Sequence, residues 1–118
     1  MEPKVISIDG VDYTPANKVA ESMEGMEYKI IRTYSAGVFA GYVQARNGKE
    51  VVIRKARRIW KWTGAASLSQ LAVDGTSTPE TCKFPVEVDK ITVTEVIEIL
   101  NVTEKAKKSI SEVKIWKV

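Results

Sequence analysis

Between Glu27 and Trp62 the chain is a nearly continuous run rich in Ile, Val, Tyr, Phe and Trp, broken by Ser35-Ala36-Gly37 and Asn47-Gly48. β-Branched and aromatic side chains fit a pleated, half-buried surface. Asn-Gly accepts positive φ at little steric cost, which makes it a strong hairpin signal. The pattern predicts an antiparallel pair, residues 39–46 with residues 50–62, turning at Asn47-Gly48. The second member is too long to stay flat, so a bend or bulge is expected near Lys55-Ala56.

Smaller units flank this sheet. Val5-Ile6-Ser7-Ile8, Asp9-Gly10 and Val11-Asp12-Tyr13 read as a second hairpin. Thr14 before Pro15 then caps a short helix reaching about Met23, with Gly25 ending it. From Thr63 or Gly64 to Ala72 apolar residues recur at helical spacing (65, 68, 71 and 72), and Asp74-Gly75 stops the run. Residues 76–80 form a Ser/Thr/Pro loop. Residues 83–88 read as a short edge strand, because Pro85 cannot donate to a ladder. Residues 93–102 look extended, Thr103 to Lys108 resembles one helical turn with its acid first and bases last, and residues 113–118 close the chain as a strand. With 118 residues, 44% hydrophobic and 28% charged, the chain is long enough for one core and too apolar for disorder. The expected fold class is α+β: an antiparallel β-sheet-rich single domain over residues 1–118 with two or three short helices.

The absence of histidine removes Ser-His-Asp and Cys-His catalysis and nearly all common zinc sites. Cys82 is the lone cysteine, with no second thiol and no imidazole to activate it; it reads as a small packing residue in a reducing cytoplasm. Stability then comes from packing, helped by self-association. Glu95 and Glu98 offer carboxylates, but acid–base work needs two in a cleft with separated pKa values, and a solvated strand face explains them as well. Neither GxxxxGK[ST] nor GxGxxG occurs, no apolar stretch approaches a membrane span, and the N-terminus lacks a signal-peptide pattern. The expectation is an intracellular binding protein, not an enzyme, with no cofactor and no metal; a net charge of +3 points to an anionic partner.

The densest cationic window is Arg54-Lys55-Ala56-Arg57-Arg58-Ile59-Trp60-Lys61-Trp62. Strand alternation puts Arg58, Trp60 and Trp62 on one face and Lys55, Arg57, Ile59 and Lys61 on the other. Either face offers cations to phosphate, and the first adds flat rings for a nucleobase. The alternative is tryptophans in the core and cations keeping a sheet edge soluble. A second window runs from Arg32 to Tyr42, where small residues separate Tyr34, Phe39 and Tyr42; its backbone N–H groups suit a phosphate or ribose, or the segment is a tight strand connection with Phe39 in the core. Phe84 is a stacking platform or a buried anchor, and Lys105, Lys107 and Lys108 make a basic patch.

Three stretches taken together, Ile31 to Val38, Ala56 to Ala72 and Pro79 to Pro85, continuing through Thr103-Glu104-Lys105-Ala106, resemble the phage Thoeris anti-defence family, specifically its first-described group of signal-sequestering sponges. The resemblance implies a protein that captures, without cleaving, a cyclic ADP-ribose isomer made by a bacterial TIR-domain enzyme, in the cytoplasm of the infected host. It implies a homo-oligomer such as a hexamer with ligand pockets between protomers, and in some members a capacity for cyclic oligonucleotides. Arg57 is the first candidate phosphate ligand, followed by Arg32, Tyr34, Phe39, Arg58, Phe84 and Lys108. Other readings are a small phage protein binding single-stranded nucleic acid through the Arg/Trp stripe, and an enzyme cleaving the signal with Glu95 or Glu98, which would leave new products.

Overall fold

The structure is a computed structural model that describes residues 18–118 and the backbone of two short strands ahead of them. Those strands, β1 (Ile6–Ile8) and β2 (Val11–Tyr13), pair antiparallel with Ile8 opposite Val11, the hairpin the sequence predicts. Its turn residues Asp9 and Gly10, and the proposed cap at Thr14-Pro15, lie outside the described residues.

The main sheet contains β3 (Glu27–Thr33), β4 (Val38–Asn47), β5 (Glu50–Arg58), β6 (Val88–Val93) and β7 (Val96–Asn101), all antiparallel in the order β6-β5-β4-β3-β7. With helices α1 (Leu68–Asp74) and α2 (Glu104–Ser111) this is an α+β fold. Neither helix is long and apolar enough to cross a membrane.

β6 and β7 occupy opposite edges of the sheet, yet only Thr94 and Glu95 separate them. Three residue steps span at most about 11 Å, whereas four interstrand spacings in a flat sheet cover about 19 Å. The sheet must therefore curl until its edges meet. The junction is held by Tyr34 N–H to Glu95 O (2.9 Å) and Val96 N–H to Lys49 O (3.0 Å). Every strand of this five-stranded sheet contributes to the enclosed core: Ile31, Phe39, Val51, Ile53, Ala56, Val93 and Val96. A second core on the outer face packs Tyr28, Ile30, Tyr42 and Ile59 against Leu71, Phe84, Ala106 and Ile110. Adjacent Ile30 and Ile31 are both fully buried because successive strand residues point to opposite faces and both faces are covered.

The expected irregularity lies at Lys55-Ala56. Ala40 pairs with Arg57 and Tyr42 with Arg54, so Lys55 and Ala56 together oppose Gly41, and Lys55 takes a positive φ of 51°. Gly41 is required by contact: a Cβ there would lie 2.5 Å from Ile53 Cγ2 and 2.9 Å from Arg54 O. The β4–β5 turn is one residue later than the Asn47-Gly48 reading. Asn47 pairs with Glu50, leaving Gly48 and Lys49 as the loop with Gly48 at φ 62°, because Gly at the first loop position matches the twist of the flanking strands.

Several boundaries differ from expectation for identifiable reasons. Residues 18–23 are not helical: Ala20 N–H bonds Val102 O (2.8 Å) and Glu21 N–H bonds Glu104 Oε1 (2.8 Å), so the segment runs extended beside the start of α2. α1 starts at Leu68, capped by Ser67, rather than at Thr63 or Gly64. Those two residues are bound to the 76–78 loop by Thr76 Oγ1 to Thr63 O (2.6 Å) and Ser77 N–H to Gly64 O (3.1 Å). Gly75 ends α1 as expected, its N–H bonded to Leu71 O. A 3-10 turn, Pro79–Thr81, interrupts the loop. β5 ends at Arg58 because β4 begins at Val38; past Ile59 N–H to Val38 O (2.8 Å) no partner strand remains. The edge strand is Val88–Val93, free of proline, rather than residues 83–88, where Lys83 and Phe84 form single bridges to Lys61 and Ile115. Residues 113–118 are not a strand: Trp116 N–H to Phe84 O (3.0 Å) and the Phe84–Ile115 bridge attach this tail.

The contact geometry around Gly41 yields a direct expectation. Gly41→Ala should destabilise the protein by about 1–3 kcal/mol through overpacking, measured as a lower urea midpoint with an unchanged slope.

Candidate anion-binding site

The β5 bulge re-aims two cationic side chains. Lys55 and Arg57 line a cavity of about 270 Å³ on the outer face of the sheet, together with Tyr28, Tyr42, Glu87, Lys107, Ser111, Val113 and Ile115. Tyr28 of β3 and Tyr42 of β4 are cross-strand partners, and their rings meet edge to face at 5.1 Å and 73°. From α2, the Lys107 ammonium sits 5.7 Å from the Tyr28 centroid and 5.1 Å from that of Tyr42, where the negative ring faces attract it. Three cations thus face one carboxylate, Glu87, across an aromatic floor.

Arg57 is the anchor of this site. Among the described residues it is the one buried charged side chain, 6% exposed. Its Nε donates to Pro85 O (3.2 Å), Nη1 to Ile110 O (3.0 Å), and Nη2 to Phe84 O (3.3 Å) and Val113 O (2.6 Å). Four of the five guanidinium hydrogens are therefore committed to backbone. Ile110 lies in the last turn of α2, whose exposed carbonyls carry partial negative charge and favour a cation. Burial lowers the Arg57 pKa from its ordinary value, opposed by Tyr28 and Glu87; the guanidinium nonetheless stays charged near neutrality. Burial also raises the Tyr28 phenol above its ordinary value, with Tyr42 adding to the effect, so at neutral pH it is a neutral hydroxyl able to donate.

The structure divides the sequence candidates. Arg57 and Phe84 lie on the outer face, where the Arg57 guanidinium stands 5.4 Å from the Phe84 centroid. Arg58, Phe39, Arg32 and Tyr34 gather around the β3–β4 turn instead. Arg58 Nη1 donates to Ala36 O (2.5 Å) and its guanidinium lies 4.4 Å from the Phe39 centroid; both residues line a separate cleft of about 210 Å³. Arg32 is exposed and paired with Glu98 at 3.3 Å, and Tyr34 is 77% exposed. Lys108 is exposed on α2, while its neighbour Lys107 is the one that lines the cavity. Phe39 and Phe84 are 1% and 0% exposed, so neither ring offers a free face to a nucleobase; burial in the two cores overrides the platform reading. Trp62 packs with the outer core rather than sharing a face with Arg58, because the strand has ended before it.

Sequence reasoning passed over Tyr28, Tyr42, Glu87, Lys55 and Lys107 as site residues. Alternation did place Lys55 on the Arg57 side of β5; Lys107 carried no signal beyond a basic patch. Elsewhere, Glu95 accepts from Ser35 Oγ (2.8 Å) and Glu98 is held by Arg32, so these two carboxylates are engaged separately. Cys82 is buried, with its thiol 3.5 Å from Thr76 Oγ1 and 3.6 Å from Thr63 O.

Two substitutions separate scaffold from recognition. Arg57→Lys removes the planar fork, leaves at least one buried carbonyl unpaired, and should cost about 2 kcal/mol or more in urea unfolding. Lys55→Gly releases the left-handed backbone constraint, worth roughly 1 kcal/mol, against the flexibility glycine adds to the unfolded chain. Its melting temperature should stay within a few degrees of the parent while phosphate affinity, read by calorimetry, falls.

No curated protein and no solved structure matches this chain. A domain-family profile matches residues 26–110, more than two-thirds of the chain, covering the five-stranded sheet, α1 and nearly all of α2. The chain therefore belongs to the family described as a domain of unknown function, DUF6948.

Proposed function

We propose that this protein is a capture protein for a small phosphorylated nucleotide signal, holding it without cleaving it. The observation that carries the reading is the convergence of Lys55, Lys107 and Arg57 on a cavity floored by Tyr28 and Tyr42. Lys55 and Lys107 supply ammonium groups for phosphate oxygens, Lys107 keeping donors to spare beyond its bond to Glu21 O (3.4 Å), and the neutral Tyr28 hydroxyl suits a ribose or phosphate oxygen. Arg57 contributes mainly field and framework, since four of its donors are already engaged. Glu87 can accept from sugar hydroxyls. Binding of this kind needs preorganised charge and no nucleophile, general base or metal.

The specific ligand follows from the family resemblance described above. On that reading the protein is a phage anti-defence sponge that sequesters a cyclic ADP-ribose isomer made by a bacterial TIR enzyme, acting in the host cytoplasm and blocking Thoeris immunity. A cavity of about 270 Å³ falls just below the size usual for ligand pockets. The same resemblance implies a homo-oligomer, in which a second copy would supply a further wall.

The test is direct. The purified protein is mixed with a cyclic ADP-ribose isomer, filtered and then heat-denatured, and both fractions are chromatographed. The ligand should vanish from the filtrate and return intact after heating. Lys107→Ala should weaken capture by about tenfold, the loss expected for one charged hydrogen bond, with an unchanged melting temperature. Ligand left free in the filtrate would overturn the ligand assignment, and new products would make the protein an enzyme.

A further inference from the structure

A second feature lies apart from this cavity. Trp60, just past β5, and Trp116, in the C-terminal tail, stack nearly parallel, with centroids 5.1 Å apart and an interplanar angle of 12°. They remain 58% and 41% exposed. The Lys83 ammonium stands 5.6 Å from one ring centroid and 5.3 Å from the other. Its position is set by a two-bond bridge, Lys61 N–H to Lys83 O (3.2 Å) and Lys83 N–H to Lys61 O (2.7 Å), which also brings Lys61 alongside. Lys114 and Lys117 flank Trp116 in the tail.

We infer that the Trp60–Trp116 pair with Lys83 is a stacking platform for an unpaired base of single-stranded nucleic acid. Two exposed indoles give a base a flat apolar surface without sequence preference. Charge decides between this occupant and a second copy of the chain. The ion pairs among the described residues involve none of Lys61, Lys83, Lys114 and Lys117. The acids near Trp116 are Glu80 and Glu112, which line the adjoining cavity with Lys114. Cations outnumber acids, so self-docking would press like charges together, whereas a phosphodiester strand would neutralise them and release counterions.

The experiment titrates the full-length protein with a twelve-nucleotide oligothymidylate, following tryptophan fluorescence at several salt concentrations. Saturable quenching is expected. Trp116→Ala should lower affinity about tenfold or more, the usual loss for one stacked base. Lys83→Gln should reduce the log affinity–log salt slope by about 0.7, the value for one single-strand phosphate contact. Lys107→Ala, in the separate cavity, should bind the strand as the parent does, so failure here and failure of the proposed capture function remain distinguishable. If Trp116→Ala melts well below the parent, Lys83→Gln decides, because it leaves both rings in place. Absence of binding, or parental affinity in Trp116→Ala, overturns the inference. So does an oligomer that dissociates on Trp116→Ala and never binds the strand, which would make the platform a contact between copies.

Discussion

The guanidinium of Arg57 links β5 to three stretches of chain that also meet in the outer core and at the Phe84–Ile115 bridge. Through four hydrogen bonds it ties β5 to the carbonyls of Phe84 and Pro85, to the end of α2 at Ile110, and to Val113 at the start of the tail. A neutral residue in its place would strand those carbonyls in a buried setting, where each unpaired group costs about 1–3 kcal/mol. A planar fork with divergent donors suits carbonyls arriving from several directions, and an ammonium does not. Among the described residues no carboxylate pairs directly with the guanidinium, and this matters as well. The charge is held by partial negative charges of carbonyls and a helix end, so it is not cancelled and still contributes to the potential of the neighbouring cavity.

The bulge at Lys55 and the contact at Gly41 form the second constraint. An uninterrupted strand would march Lys55 and Arg57 along a regular ladder, and the two-against-one step bends β5 while adding twist. The same step assists the curling that lets β6 and β7 meet at Thr94-Glu95. A non-glycine residue with positive φ is uncommon, and its location beside the cationic cavity fits the tendency of strained backbone to gather where a side chain must be aimed. Scaffold geometry and recognition are coupled here through one residue. The tail, whose Val113 and Ile115 line the cavity, carries that coupling outward to Trp116.

Local chemistry was the legible part of the fold. The 27–62 run became three strands, the β4–β5 hairpin turned within a residue of Asn47-Gly48, and the excess length of β5 was absorbed at Lys55-Ala56. The helical turn expected from Thr103 to Lys108 falls on α2, which runs on to Ser111, and Gly75 stopped α1. Misreadings concentrated where backbone partners come from afar. Residues 18–23 are drawn out of a helix by Val102 and Glu104, and Thr63-Gly64 are held by the 76–78 loop. Among the described residues the tail bridges only Phe84, which is too little pairing for a strand whatever its β propensity.

The candidate site shows the same division. The basic window was visible because charge density and strand alternation are properties of neighbours in sequence, and alternation placed Lys55 beside Arg57. The absence of histidine likewise needs no coordinates. Which cations are consumed by the backbone, which aromatic rings are buried, and which lysine of α2 faces Tyr28 and Tyr42 depend on how a sheet curls and where a helix docks. Those are outcomes of long-range packing. Sequence alone determined the three strands of the 27–62 run, their hairpin turn to within a residue, the bulge and the cationic character of β5. Tertiary structure decided that Arg57 is a framework cation and that Lys55 and Lys107 line the open cavity, because burial and hydrogen-bond satisfaction are settled only when distant segments meet.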